Sequence, residues 1–177
     1  VGSGTDWKSI YGGGDTNQFA IKTDGTLWAW GRNAEGHLGL NDLTSRSSPV
    51  QIPGTTWVKV NAGAGNQQGA GVKTDGTLWI WGNNSLGGLG QNSINTPSNN
   101  WISSPVQVPG TTWDDVSNFS GYTVAHKSDN TLWVWGNGGG GQDAGDPPVS
   151  RISSPTQIPG SWDQGLVGQR PVFGWKA

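Results

Sequence analysis

The sequence predicts an all-β chain assembled from β-propeller blades, and three observations predict it. The stretch Lys22-Thr23-Asp24-Gly25-Thr26-Leu27-Trp28-Ala29-Trp30-Gly31 returns as Lys73-Thr74-Asp75-Gly76-Thr77-Leu78-Trp79-Ile80-Trp81-Gly82 and as Lys127-Ser128-Asp129-Asn130-Thr131-Leu132-Trp133-Val134-Trp135-Gly136. Other landmarks keep the same step. Trp7, Trp57 and Trp113 open units of roughly fifty residues, each closed by Ser-Ser-Pro followed by Pro-Gly, and Trp162 opens a further, partial one. Apolar residues make up only 32% of the chain, yet 12 residues are Trp, which can fill the space between packed sheets with few side chains.

The chain opens on residues 1-6, which stand where Pro-Gly-Thr-Thr precedes Trp57 and Trp113, so they read as the tail of an earlier unit. The first unit, 7-56, begins with a strand that includes Ile10 and continues with one that includes Phe19 and Ile21. Asp24-Gly25 between apolar runs predicts a two-residue type I′ hairpin turn, with positive φ at both residues. In the following strand Leu27 and Ala29 face one way and Trp28 and Trp30 the other. Both faces are apolar, which predicts cover on both sides. A Gly-rich connection, 31–39, leads to an outer strand. Pro49 belongs on such an edge, because proline cannot donate to a ladder.

The second unit, 57-112, repeats this plan through Asp75, Gly76, Trp79, Trp81 and Gly82, and carries the longest loop, 91–101. The third, 113-161, keeps Asp129, Trp133, Trp135 and Gly136 but replaces the connection by a glycine run at 138–141. A partial unit, 162-177, contains Val172-Phe173-Gly174-Trp175-Lys176, which matches Phe19-Ala20-Ile21-Lys22, and stops where a turn is due. An open array of blades exposes strand edges and apolar faces. The expectation is therefore that a longer chain, or further copies, complete the ring.

These units resemble the repeats of the regulator of chromosome condensation (RCC1-like) family. The resemblance rests on Trp30-Gly31-Arg32-Asn33 with Gly36-His37-Leu38-Gly39 and on Trp81-Gly82-Asn83-Asn84 with Gly87-Gly88-Leu89-Gly90. His37 and Gly88 stand where the family often has Gln, and the third unit loses Leu-Gly. The resemblance implies four-stranded blades and a propeller of seven, of which this chain would be about three complete blades with partial ones at both ends. It also implies a range of activities housed in loops, from nucleotide exchange on a small GTPase to enzyme inhibition. No residue of those sites is matched in this chain.

Net charge is −2 and the pI about 5.5, which offers no general attraction for nucleic acid or an anionic membrane. No apolar run is long enough for a membrane helix, and no Cys is present, so there is no disulfide framework. The only histidines, His37 and His126, have no Cys or carboxylate cluster at metal-ligand spacing. Asp24, Asp75 and Asp129 are accounted for as turn residues. Asp114-Asp115 is the sole acidic pair and reads as a solvated strand start. No set of residues suggests a Ser-His-Asp triad, and no cofactor motif occurs. Lys22, Lys73, Lys127 and Lys176 share one repeat position and read as a feature of the hairpin end.

The variable connectors supply the candidate partner-binding residues: Asn99, Asn100 and Trp101 on the long loop, with Arg46 and Arg151. Trp101 aligns with Ser45 and Arg151. Two sequons, at Asn83 and Asn118, point faintly to secretion. The expectation is a non-catalytic binding or structural module, outside a cell or on a virion surface, that contacts a protein or glycan through blade loops. The alternative is an exchange factor or another regulatory protein-binding propeller.

Overall fold

A computed structural model describes residues 6–13, 16–63, 68–93, 101–119, 121–137 and 151–162. Asn99, Asn100, the glycine run at 138–141 and most of both expected partial blades lie outside them. The described residues form twelve strands in three antiparallel sheets, with no helix. The first sheet contains β1 (Trp7–Gly13), β2 (Asn17–Lys22), β3 (Leu27–Gly31) and β4 (Arg46–Gln51), in that spatial order. The second contains β5 (Trp57–Ala62), β6 (Gln68–Lys73), β7 (Leu78–Asn83) and β8 (Trp101–Gln107). The third contains β9 (Trp113–Phe119), β10 (Tyr122–Lys127), β11 (Leu132–Gly136) and β12 (Ile152–Ile158).

The hairpin between the second and third strands differs from the two-residue turn that Asp-Gly suggests. The Lys22 amide donates to the Thr26 carbonyl at 3.0 Å and the Gly25 amide to the Lys22 carbonyl at 3.0 Å, so the loop has three residues, 23–25. Only the last has positive φ: 79° at Gly25, 74° at Gly76 and 63° at Asn130. This is the pattern of a tight turn followed by one left-handed residue, a place that Gly and Asn fill at least cost. The aspartate has another task. Asp24 Oδ1 accepts from the Thr26 amide at 2.9 Å and its hydroxyl at 2.7 Å, and the same pair of bonds recurs at Asp75 and Asp129. The Thr26 hydroxyl, and then its amide, hold the Asp24 carboxyl below the usual carboxylate range.

Pro49, Pro105 and Pro155 lie on β4, β8 and β12, each the edge strand of its sheet. The β3–β4 register slips between Ala29 and Gly31, which absorbs the residues around Pro49. A proline needs no ladder partner there.

The sheets stack face to face. Phe19, Ile21, Leu27 and Ala29 of the first sheet meet Trp57, Val60 and Trp81 of the second. Ala70, Val72, Leu78 and Ile80 of the second meet Trp113, Val116, Ala125 and Trp135 of the third. A third cluster, Tyr122, Val124, Leu132, Val134 and Ile158, lies within the third sheet. Cover on both faces is therefore observed where a sheet has a neighbour on each side. The first sheet shows the contrast. Ile10 is 66% exposed, whereas Val60 and Val116, three residues after their own opening Trp, are each 4% exposed under the preceding sheet. Trp30 is half-buried, whereas Trp81 and Trp135 are fully buried.

Each seam is fastened in the same way. The Trp81 indole N–H donates to the His37 carbonyl at 2.8 Å, and the Trp135 indole N–H to the Gly88 carbonyl at 2.8 Å. The receiving connection is braced by a buried asparagine. Asn33 Oδ1 accepts from the Leu38 amide at 2.9 Å, while its Nδ2 donates to the Asp42 carbonyl at 2.9 Å. Asn84 does the same with the Leu89 amide and the Ser93 carbonyl, at 3.2 and 2.9 Å. In the third unit the sequence has Gly138 at this place.

Candidate functional site

Two regions bring polar groups and half-buried aromatics together. One is the row of outer-strand starts. Arg46 opens β4 opposite Gly31, Trp101 opens β8 opposite Asn83, and Arg151 directly precedes β12. Trp101 and Arg151 share one repeat position with Ser45, while Arg46 stands one residue further on, opposite Gly31 as Ile102 is opposite Gly82. Trp101 is half-buried and Arg151 exposed. Arg46 is held by its neighbours, with Nη1 donating to the Thr44 carbonyl at 2.7 Å and Nη2 to the Asp42 carboxylate. No hydrogen bond or ion pair joins these residues to one another among the described residues. They form a row rather than a convergent pocket.

The second region lies at the hairpin ends, where the repeated lysine performs a task that its reading as a turn feature missed. Lys22 Nζ stands 5.0 Å from the Trp7 ring centroid and 4.9 Å from that of Trp28. Lys73 Nζ stands 4.7 Å from Trp57 and 4.4 Å from Trp79. Lys127 Nζ stands 4.5 Å from Trp113 and 4.7 Å from Trp133. Each ammonium is thus shared by two indoles, a contact of roughly 0.5–1 kcal/mol per ring at a partly exposed site. The second ring is fixed by its own N–H, which donates to the turn threonine at 2.9 Å: Trp28 to Thr26, Trp79 to Thr77 and Trp133 to Thr131. Between the second and third sheets a cavity of about 450 Å³ opens against Lys127, Trp113 and Trp133, with Gln91, Asn92 and Ser154 on its rim. The sequence signal for this region was the shared spacing of lysine and tryptophan; Gln91 and Asn92 carried none.

Both histidines are buried. His126 Nδ1 lies 2.7 Å from Asp114 Oδ1, and Nε2 lies 2.9 Å from the Trp162 carbonyl. The Trp162 carbonyl stands at Nε2 where a serine hydroxyl would have to lie in a triad. Asp114 is thus the partner of a buried ring rather than a solvated strand start, while Asp115 pairs with Lys59 at 3.2 Å. His37 is fully buried with neither ring nitrogen hydrogen-bonded. Burial pushes its pKa down, against the pull of Glu35, whose Oε2 lies 3.9 Å from Nε2. No group of three metal-ligating side chains is gathered among the described residues, and no helix there is long and apolar enough to cross a membrane. The sequons gain nothing from the fold. Asn118 is buried, and the amide nitrogen of Asn83 donates to Glu35.

Comparison with known proteins agrees with this architecture. Residues 24–66 match the regulator of chromosome condensation (RCC1) repeat. Over 72 residues the chain is 40% identical to the RCC2 homolog of Danio rerio, covering 40% of this chain and 14% of that protein. Over 78 residues it is 35% identical to the ultraviolet-B receptor UVR8 of Arabidopsis thaliana, covering 44% of this chain and 18% of that one. The matches thus span less than a fifth of these relatives' length. Yeast RCC1 (Prp20), in its structure bound to Kap60, has a TM-score of 0.75 over 88% of this chain and 37% of that one at 21% identity, a likeness of fold. Repeat spacing, four-stranded sheets stacked in series and these likenesses together show an RCC1-like β-propeller fold, with a repeat of the regulator of chromosome condensation type at residues 24–66.

Proposed function

We propose that the chain is a non-catalytic module that binds a protein partner through the row of outer-strand starts, in the extracellular or virion setting that its composition favours. The observation that carries this reading is the row itself. The repeat holds Trp101 and Arg151 at matching ends of two successive sheets, with Arg46 one position further along the outer strand of the first. An aromatic with a guanidinium group at the same place on the next sheet suits a protein surface, where Trp and Arg dominate binding energy. Two further points support it. The Asp114–His126 pair is closed off by the Trp162 carbonyl, and the solved yeast RCC1 that shares this fold is bound to another protein, Kap60.

The test starts with the intact chain as bait and photo-crosslinkers placed in turn at positions 101 and 151. The same partner should be captured from both positions. Its purified form should then bind the wild-type chain at least about tenfold more tightly than a W101A/R151A variant, a loss of roughly 1.4 kcal/mol. Equal binding by the variant, or turnover of an ester or glycoside panel by the wild-type chain, would overturn the proposal. Stimulated nucleotide release from a small GTPase would move the reading to the exchange-factor alternative.

A further inference from the structure

The lysine–tryptophan device occurs three times, and its surroundings differ in one respect. Asp6, Thr56 and Thr112 occupy equivalent places. Their carbonyls accept from the residue after the lysine: Thr23 to Asp6 at 2.8 Å, Thr74 to Thr56 at 2.9 Å and Ser128 to Thr112 at 2.9 Å. In the first unit Asp6 puts a carboxylate oxygen 3.1 Å from Lys22 Nζ. In the third unit the Thr112 hydroxyl turns away to the Thr111 carbonyl, and no carboxylate lies within ion-pair distance of Lys127 among the described residues. The acid of its own turn, Asp129, is engaged by the amide and hydroxyl of Thr131. It is here that the cavity opens. The ammonium lacks the partner that its counterpart in the first unit has, and space for one stands beside it.

Three features define what fits. Lys127 supplies a positive charge, held in place by two rings. On the rim, Asn92 Oδ1 already accepts from the Ser154 hydroxyl at 2.9 Å, so its amide nitrogen is the donor left over. Trp113 is 2% exposed, and the ammonium stands over the rings of both Trp113 and Trp133, so the slot presents a cation ahead of an aromatic face. One charge and one neutral donor match a single carboxylate.

We propose that the slot formed by Lys127, Trp113, Trp133 and Asn92 takes the carboxylate of a Glu or Asp side chain from a bound protein segment, the role that Asp6 fills internally beside Lys22. The identity of the occupant rests on the protein-binding reading above; the slot rests on geometry alone. Lys73 also lacks a carboxylate, since Thr56 replaces the acid, and Asn41 stands where the third slot has Asn92; the two places differ at Leu40, which replaces Gln91.

The probe is the peptide Ac-Ala-Glu-Ala-NH2, with its Gln analogue as control, titrated into the intact chain. The readout is the indole N–H resonance of Trp133, assigned with W133F, so that events at Lys73 are not counted. A saturable shift is expected with the Glu peptide, at least about tenfold weaker with the Gln peptide and weakened by salt. K127M should abolish it. T112D, which installs the acid that the first unit carries, should abolish it too while the lysine and both rings remain. It also covers the case in which K127M fails to fold. Equal titration by the Gln peptide, or a wild-type response from T112D, would overturn the proposal. Glucuronate titrating more tightly than the Glu peptide would overturn the choice of occupant. A captured partner that tolerates K127M but not W101A/R151A would remove the slot and leave the protein-binding function standing.

Discussion

Asn33 and Asn84 show how much one side chain can hold. Each is fully buried, and each amide closes a loop by accepting from one backbone amide and donating to a distant carbonyl. Removing such an amide leaves buried backbone groups unpaired, at about 1–3 kcal/mol for each group that water cannot reach. N84A should therefore lower stability by about 2–3 kcal/mol in urea titration, with no change in m-value; a loss below about 0.5 kcal/mol would show that the loop closes without it. The residue was legible in the sequence as a letter of the Trp-Gly-x-Asn motif. Its role was not, because its partners are main-chain atoms 5 to 11 residues further along, and no composition pattern marks them. The same holds for the turn aspartate. Its identity predicted a bend, but the left-handed residue proved to be the next one, and the carboxylate serves threonine instead.

At the scale of the strand, the two seam indoles make a comparison within one molecule. The Gly88 carbonyl receives the Trp135 indole and also the Thr123 hydroxyl, both at 2.8 Å. Gly69 stands at the place of Thr123 in the second sheet, so the His37 carbonyl has no hydroxyl from that position and relies on Trp81. Trp→Phe removes similar volume at both sites but orphans a buried carbonyl only at the first. W81F should cost about 1 kcal/mol more than W135F. Thermal melts of the two variants would check this, and equal losses would mean that water or another donor replaces the indole. Strand existence, order along the chain and the two-faced burial of the Trp-x-Trp strands were all readable, because period-two patterns and turn residues are local signals. The lysine–tryptophan sandwich was only half readable. Spacing announced that the residues recur together, but not that opening Trp and hairpin Lys, fifteen or so residues apart, meet across a strand pair.

For the molecule as a whole, stability resides in the seams, and one seam carries a titratable ring. His37 lies fully buried where the first two sheets join, with no hydrogen bond to either nitrogen. Burial holds its folded pKa below the unfolded value of 6.5. Between those two values the unfolded chain binds a proton that the folded chain does not. Stability should therefore be full above pH 6.5 and should fall as pH drops from there towards the folded pKa. Urea midpoints for wild type should decline across pH 7 to 5.5 and those of H37Q should stay flat; parallel slopes would assign the loss elsewhere. The stacking of sheets was legible from the repeat, whereas the exposure of Ile10 was not, since the same residue type is buried or bare according to whether a neighbour lies over it.

The seam has one further consequence. Its donor is a side chain, but its acceptor is a peptide oxygen, which every amino acid carries. Histidine and glycine serve equally well as hosts. An in-frame genetic duplication would thus bring its own seam acceptor with it, and such chains can lengthen by simple copying.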